Sequence, residues 1–208
     1  MPQPGRCLTR LKPHQGEHES GTRFSRDPIG EFGYYGGAFL RSAQVLRRSL
    51  RRRSGHFQSD ILPLLYLYRH AIELLAKATI LAGNELASVR GRGKTSQEIL
   101  AVFARSGHTL PPLVAGIREA FTEAGWEWHW PNTTVETWAD FEEVMADLAS
   151  LDPASVSFRY PVSPKGQSTA VEGFGLASTV ATLDHLAEAL DTAVFGMSAE
   201  ASRESSPP

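Results

Sequence analysis

Arg69, Glu73 and Lys77 stand at i, i+4 and i+8 within one long apolar run, residues 61–82, and His70 lies three residues before Glu73. On a helix these side chains share a face. Charge inside an apolar helix is costly unless it is paired, hydrogen-bonded, or turned to water or a ligand. Two readings follow. One is an ionic stripe that satisfies itself at the edge of a bundle. The other is a polar pocket completed by His108 and Arg159. In the second reading Arg69, His70, Glu73, His108 and Arg159 are the candidate catalytic residues, supplying acid–base groups and guanidinium charge for a phosphate.

Other patterns carry less chemistry. His70 and Glu73 have the spacing of half of a bundle metal site, but the acidic residues Glu136, Asp140, Glu143 and Asp147 fall off the apolar stripe of their own helix. No metal or other cofactor is expected. Gly93-Lys94-Thr95 ahead of a helix has a phosphate-loop flavour, yet Ser88 stands where the first glycine belongs and the preceding segment is helical in pattern, so an exposed basic loop is expected. The single Cys7 excludes disulfides and a cysteine-based zinc site, and no nucleophile elbow surrounds any serine. Trp126, Trp128 and Trp130 alternate around His129; the flanking Glu123, Glu127 and Glu136 would repel a nucleic-acid backbone, which favours packing on the bundle, with a protein-binding patch next.

The elements that must position these groups are helical. Phe39, Ala43, Leu46 and Leu50 form one stripe of a helix over residues 38–53, stopped by Ser54-Gly55. A central helix is expected from a Ser59 or Asp60 cap to Gly83. Short helices follow from Thr95 or Ser96 to about Arg105, and over residues 110–124. Thr133 or Thr134 opens an amphipathic helix bearing Trp138, Phe141, Met145 and Leu148. After a short extended segment, residues 157–161, the last helix carries Leu176, Val180, Leu183, Ala187, Leu190 and Val194. With almost no alternating pattern, the expected fold is all-α: an antiparallel helical bundle with short helices and loop embellishments. Residues 1–33 and 198–208, rich in Pro, Gly, Ser and charge, are expected to be disordered tails flanking a bundle over 34–197.

At 208 residues the chain is about one domain long. Charges inside the apolar run argue against a membrane span, and no apolar stretch of signal-peptide length precedes Gly30, so a reducing cytoplasm is the expected setting. Net charge is −2, but it is uneven: residues 1–57 hold eleven Lys and Arg against four Asp and Glu, and residues 58–208 hold ten against nineteen. The basic front either meets nucleic acid through Arg47, Arg48, Arg51, Arg52 and Arg53 or docks on the protein's own acidic surface.

Three motifs in order, Leu67-Tyr68-Arg69-His70-Ala71-Ile72-Glu73-Leu74-Leu75-Ala76-Lys77-Ala78, then Ser106-Gly107-His108-Thr109-Leu110, then Phe158-Arg159-Tyr160-Pro161, make the chain resemble HEPN-like helical proteins of bacteria over residues 35–196. The resemblance implies a compact helical bundle, dimerisation, and a place in toxin–antitoxin or phage-defence loci, where many members cut RNA without a metal. The family's nucleases carry an Arg followed a few residues later by a His. Arg105 and His108 are closer than that spacing, and Arg51 and His56 fit it. The expected function is a non-catalytic or cryptic HEPN-like homodimer that binds RNA or a protein partner such as an antitoxin. A metal-independent ribonuclease and a pure dimerisation module are the alternatives.

Overall fold

The computed structural model describes residues 27–52, 58–153, 155, 157–160, 166 and 175–205. Among them the chain forms six α-helices and no strand: α1 (Pro28–Arg51), α2 (Gln58–Val89), α3 (Ser96–Ser106), α4 (Pro111–Ala124), α5 (Trp138–Leu151) and α6 (Leu176–Ser205). No helix among the described residues is long and apolar enough to cross a membrane.

Helix α2 is the axis. Leu65, Tyr68, Ile72, Leu75, Leu81 and Leu86 are buried around nearly its whole circumference, because α1, α4 and α6 each pack on a different side. Helix α1 runs antiparallel to α2, bringing Gly36 beside Leu75, and antiparallel to α6, bringing Arg47 to Asp184 and Gln44 to Glu188. The antiparallel arrangement stops there. Helices α2 and α6 run in the same sense, as do α2 and α4, which meet at Ile80–Gly116 and Gly83–Ala120.

Four helix ends depart from the sequence expectation, each for a physical reason. The expected tail over residues 1–33 is helical from Pro28: Asp27 accepts hydrogen bonds from the Ile29 and Gly30 amides at 3.2 and 2.8 Å, and Pro28 is preset for the first turn. Ile29 is buried and the Phe32 ring meets Phe103 edge-on at 6.0 Å. Gly30, Gly33, Gly36 and Gly37 lower the helix propensity of this segment and hid it. Residues 1–26 and the Ser54-Gly55 stop lie outside the described residues.

Gly83 does not end α2, which continues to Val89. A Cβ at residue 83 would come within 2.9 Å of the Ala120 side chain and 3.1 Å of its carbonyl oxygen, so glycine is there for the close approach of α4. Helix α5 begins at Trp138, capped by Thr137 in a reciprocal box with Asp140; Thr133 instead hydrogen-bonds the Trp130 carbonyl at 2.7 Å, and the Thr134 amide donates to His185 Nδ1 at 3.2 Å. Finally, the expected tail over 198–208 is helical as far as Ser205. Ala201 is buried, and Arg90 pairs with Glu200 and Glu204. The expected extended segment at 157–161 is turn rather than strand over residues 157–159, with Phe158 buried; Pro161 lies outside the described residues.

A chain beginning at Tyr34 loses the Asp27 cap and the packing of Ile29 and Phe32. It is expected to melt about 5 to 15 °C below the full chain, from roughly 2 to 4 kcal/mol of lost capping and burial. Equal melting temperatures by calorimetry would show that the first two turns of α1 contribute nothing.

Candidate functional site

The ladder on α2 is buried and closed on itself. Arg69 has 0% exposure and Glu73 has 1%. The Glu73 carboxylate accepts from Arg69 Nη1 at 2.9 Å, from Lys77 Nζ at 2.7 Å and from His108 Nδ1 at 2.9 Å. Both cations also reach the turn between α3 and α4, where Arg69 Nη2 donates to the His108 carbonyl at 2.5 Å and Lys77 Nζ to the Gly107 carbonyl at 3.4 Å. Gly107 adopts φ 61°, a left-handed conformation that suits glycine and turns the corner there. Lys77 also sits about equally far from the rings of Phe32 and Phe103, at 6.0 and 5.9 Å.

These contacts set protonation. Burial pushes the Glu73 carboxyl up, but the hydrogen bonds and charges of Lys77, His108 and Arg69 outweigh it and hold the group below its ordinary value. An ionised carboxylate only accepts, so His108 Nδ1 carries the proton and donates. The His108 side chain is 58% exposed, which leaves its Nε2 edge toward solvent. The ladder contains two cations and one carboxylate, an excess of one positive charge beside that imidazole.

His70 is half-buried, its ring edge-on to Phe39 at 4.4 Å and parallel to Tyr66 at 5.7 Å. Burial drives its pKa below the ordinary imidazole value; Glu73 pulls the other way, and His108, Arg69 and Arg159 add to the lowering. Arg159 lies across Tyr66 with its guanidinium carbon 5.7 Å from the ring centre, and its Nε donates to the Ser155 carbonyl. The structure therefore brings all five candidates, Arg69, His70, Glu73, His108 and Arg159, to one side of α2. It also locks Arg69 away from solvent, so the reachable groups are His108, Arg159 and the edge of His70. Sequence reasoning missed Tyr66 and Phe39, which frame His70. Tyr66 was legible as the residue one turn before His70.

The basic candidates divide. Arg47 ion-pairs with Asp184, which also accepts from the Tyr68 hydroxyl at 3.0 Å and from Gln44 at 3.1 Å, so this arginine docks α1 on the acidic α6 and does not face a ligand. Arg48, Arg51 and Arg52 are exposed; Arg53 and His56 lie outside the described residues. The Gly93-Lys94-Thr95 loop holds no anion cradle: Asn84 accepts from the Lys94 amide at 2.6 Å, Lys94 Nζ pairs with Glu119, and the Thr95–Glu98 box caps α3. Of the tryptophans, Trp128 is buried with its ring 4.4 Å from Phe141, and Trp126 donates to Glu200 at 2.9 Å, so this stretch packs on the bundle. Among the described residues no group of three or more His, Cys, Asp or Glu converges as a metal site would require. A cleft of about 590 Å³ between α3 and α4, floored by Ile80, Ile99 and Leu113, includes none of the five candidates.

No family model, curated protein or solved structure matches the chain.

Glu73→Ala would strand Arg69 and Lys77 in the core, at an expected cost of about 3 to 5 kcal/mol. Removing the exposed Glu143 carboxylate should cost about 0.5 kcal/mol or less. Chemical denaturation of both variants checks the difference, and equal losses would place the ladder in solvent.

Acid should act in two stages. As pH falls below the ordinary imidazole value of 6.5, the unfolded chain takes up a proton at His70 before the folded chain does, so stability declines. The stabilisation from Glu73 is present above the ordinary carboxyl value of 4.5 and is lost as pH falls through its lowered folded value. Melting temperature against pH should lose the first decline in His70→Gln and keep the second. An unchanged first decline would show that His70 is not held neutral by the fold.

Proposed function

We propose that this chain is a HEPN-like helical bundle that binds RNA at the α2 face where His108, Arg159 and His70 meet solvent. The supporting observation is the His108 imidazole, 58% exposed yet tied by its Nδ1 to the buried Glu73 at 2.9 Å, beside a ladder with one positive charge in excess. The excess positive charge suits a phosphate, and with the Nδ1 proton held on Glu73 the Nε2 edge is an acceptor that suits a ribose hydroxyl. The exposed Arg48, Arg51 and Arg52 at the end of α1 supply further phosphate contacts that carry no sequence information. Resemblance in the three motifs adds the setting, a bacterial defence or toxin–antitoxin locus in a homodimeric form, with an antitoxin-type protein as the regulatory partner.

Cleavage is the second reading, and one observation favours it: a carboxylate that orients an imidazole is the arrangement of a general base. Against efficient catalysis stands Arg69, whose guanidinium is spent on Glu73 and the His108 carbonyl rather than offered to a pentavalent phosphate.

Binding of labelled single-stranded RNA, followed by anisotropy from low to moderate salt, should weaken with salt. Replacing Arg48, Arg51 and Arg52 together by Ala should reduce the slope of log K against log salt by about 2, near 0.7 for each phosphate that is no longer neutralised. Binding that ignores salt, or no binding at all, would overturn the RNA reading. Metal-free cleavage in EDTA that His108→Ala abolishes would move the conclusion to the ribonuclease.

A further inference from the structure

His70, Tyr66, Arg159 and Tyr160 form a continuous stack that starts in the bundle and ends in solvent. Phe39 closes the inner end edge-on to His70 at 4.4 Å, and the His70 and Tyr66 planes are 10° apart with centres at 5.7 Å. The guanidinium of Arg159 continues the column 5.7 Å beyond Tyr66 and lies 5.6 Å from the ring of Tyr160, which is 54% exposed. Arg159 Nε on the Ser155 carbonyl ties its own corner, and two further contacts hold the same corner. These are Phe158, at 4% exposure, and the Ser157 amide donating to Asp152 at 2.8 Å.

The geometry points to a stacking platform for one unpaired nucleobase, formed by Arg159 and Tyr160 and backed by Tyr66 and His70. This rests on the RNA reading and names what that site selects. A flat cation next to an aromatic ring takes any base by its face, and a base held in a duplex cannot offer that face. Tyr66 and Glu73 are seven positions apart on α2, about 10 Å along the helix, and His108 and Arg159 both act electrostatically on His70, so the platform and the His108 imidazole share one side of α2. The base rests at Tyr160 while the backbone of the same strand runs along the positively charged side of α2.

The test uses the full chain and three fluorescein-labelled probes: an oligouridylate, the same oligomer with abasic ribose units, and a duplex of equal length. Tyr160→Ala should weaken oligouridylate binding about tenfold and leave the abasic probe nearly unchanged, with Tyr160→Phe restoring affinity. Arg159→Lys, which keeps the charge but loses the plane, should follow Tyr160→Ala on the oligouridylate. Wild-type protein should prefer the oligouridylate to the duplex. The platform is overturned if Tyr160→Ala leaves the oligouridylate affinity intact, or weakens the abasic probe equally. If wild-type protein binds no probe, the RNA reading and the platform fall together. If it binds all three with salt sensitivity and Tyr160 is indifferent, the platform alone falls.

Discussion

One carboxylate, buried to 1% exposure, pairs with two cations that the central helix would otherwise have to hold without a counter-charge. An isolated charge at that depth costs several kcal/mol, and Glu73 meets Arg69 and Lys77 at hydrogen-bond distance from both of its oxygens. The same cations also reach the carbonyls of His108 and Gly107, although the buried Arg69 Nε has no partner among the described residues. A polar stripe that looks like a defect in the core is therefore the fastening between α2 and the α3–α4 corner. Helix α3 has little else, since it packs on α2 far less extensively than α1, α4 or α6 do.

That fastening also explains why chemistry concentrates where it does. A group on a loop is placed only as well as the loop is, and His108 sits on a turn whose carbonyls are held by buried charge. The imidazole inherits a fixed orientation and a fixed tautomer. His70 obtains its character by the opposite route: partial burial between aromatic rings lowers its pKa, although the same carboxylate pulls it toward protonation. Two histidines on one face thus differ in environment, one exposed and anchored, the other half-buried between aromatic rings, without any difference in intrinsic chemistry.

Much of this was legible before the fold. The i, i+4, i+8 spacing identified the ladder, and the helix periods of α2 and α5 identified their buried faces, because both signals are local. What was not legible was local signal masked by composition, or pairing between residues far apart in the chain. Glycines blurred α1 ahead of Tyr34, although Asp27-Pro28 is a capping pair. The polar run Ser198 to Ser205 read as a tail, since the arginine that recruits Glu200 and Glu204 lies over a hundred positions earlier. The use of main-chain carbonyls by Arg69 and Lys77 leaves no mark on side-chain pattern at all, whereas the docking of Arg47 on the acidic α6 was one of the two readings that the uneven charge allowed. Sequence spacing showed which residues shared a face of α2 but not which of them solvent would reach.

The seam between α1 and α6 has a consequence for how the chain comes together. Arg47 and Asp184 are separated by 137 positions, and Gln44 and Glu188 by 144. During synthesis α1 and α2 emerge as a hairpin whose third wall has not yet been made, and the inner face of α2 stays open until the last helix leaves the ribosome. Closing that ring joins helices more than 130 positions apart, so this bundle carries long-range contacts that one of sequential hairpins would lack, and their loop-closure entropy weighs against its folding rate.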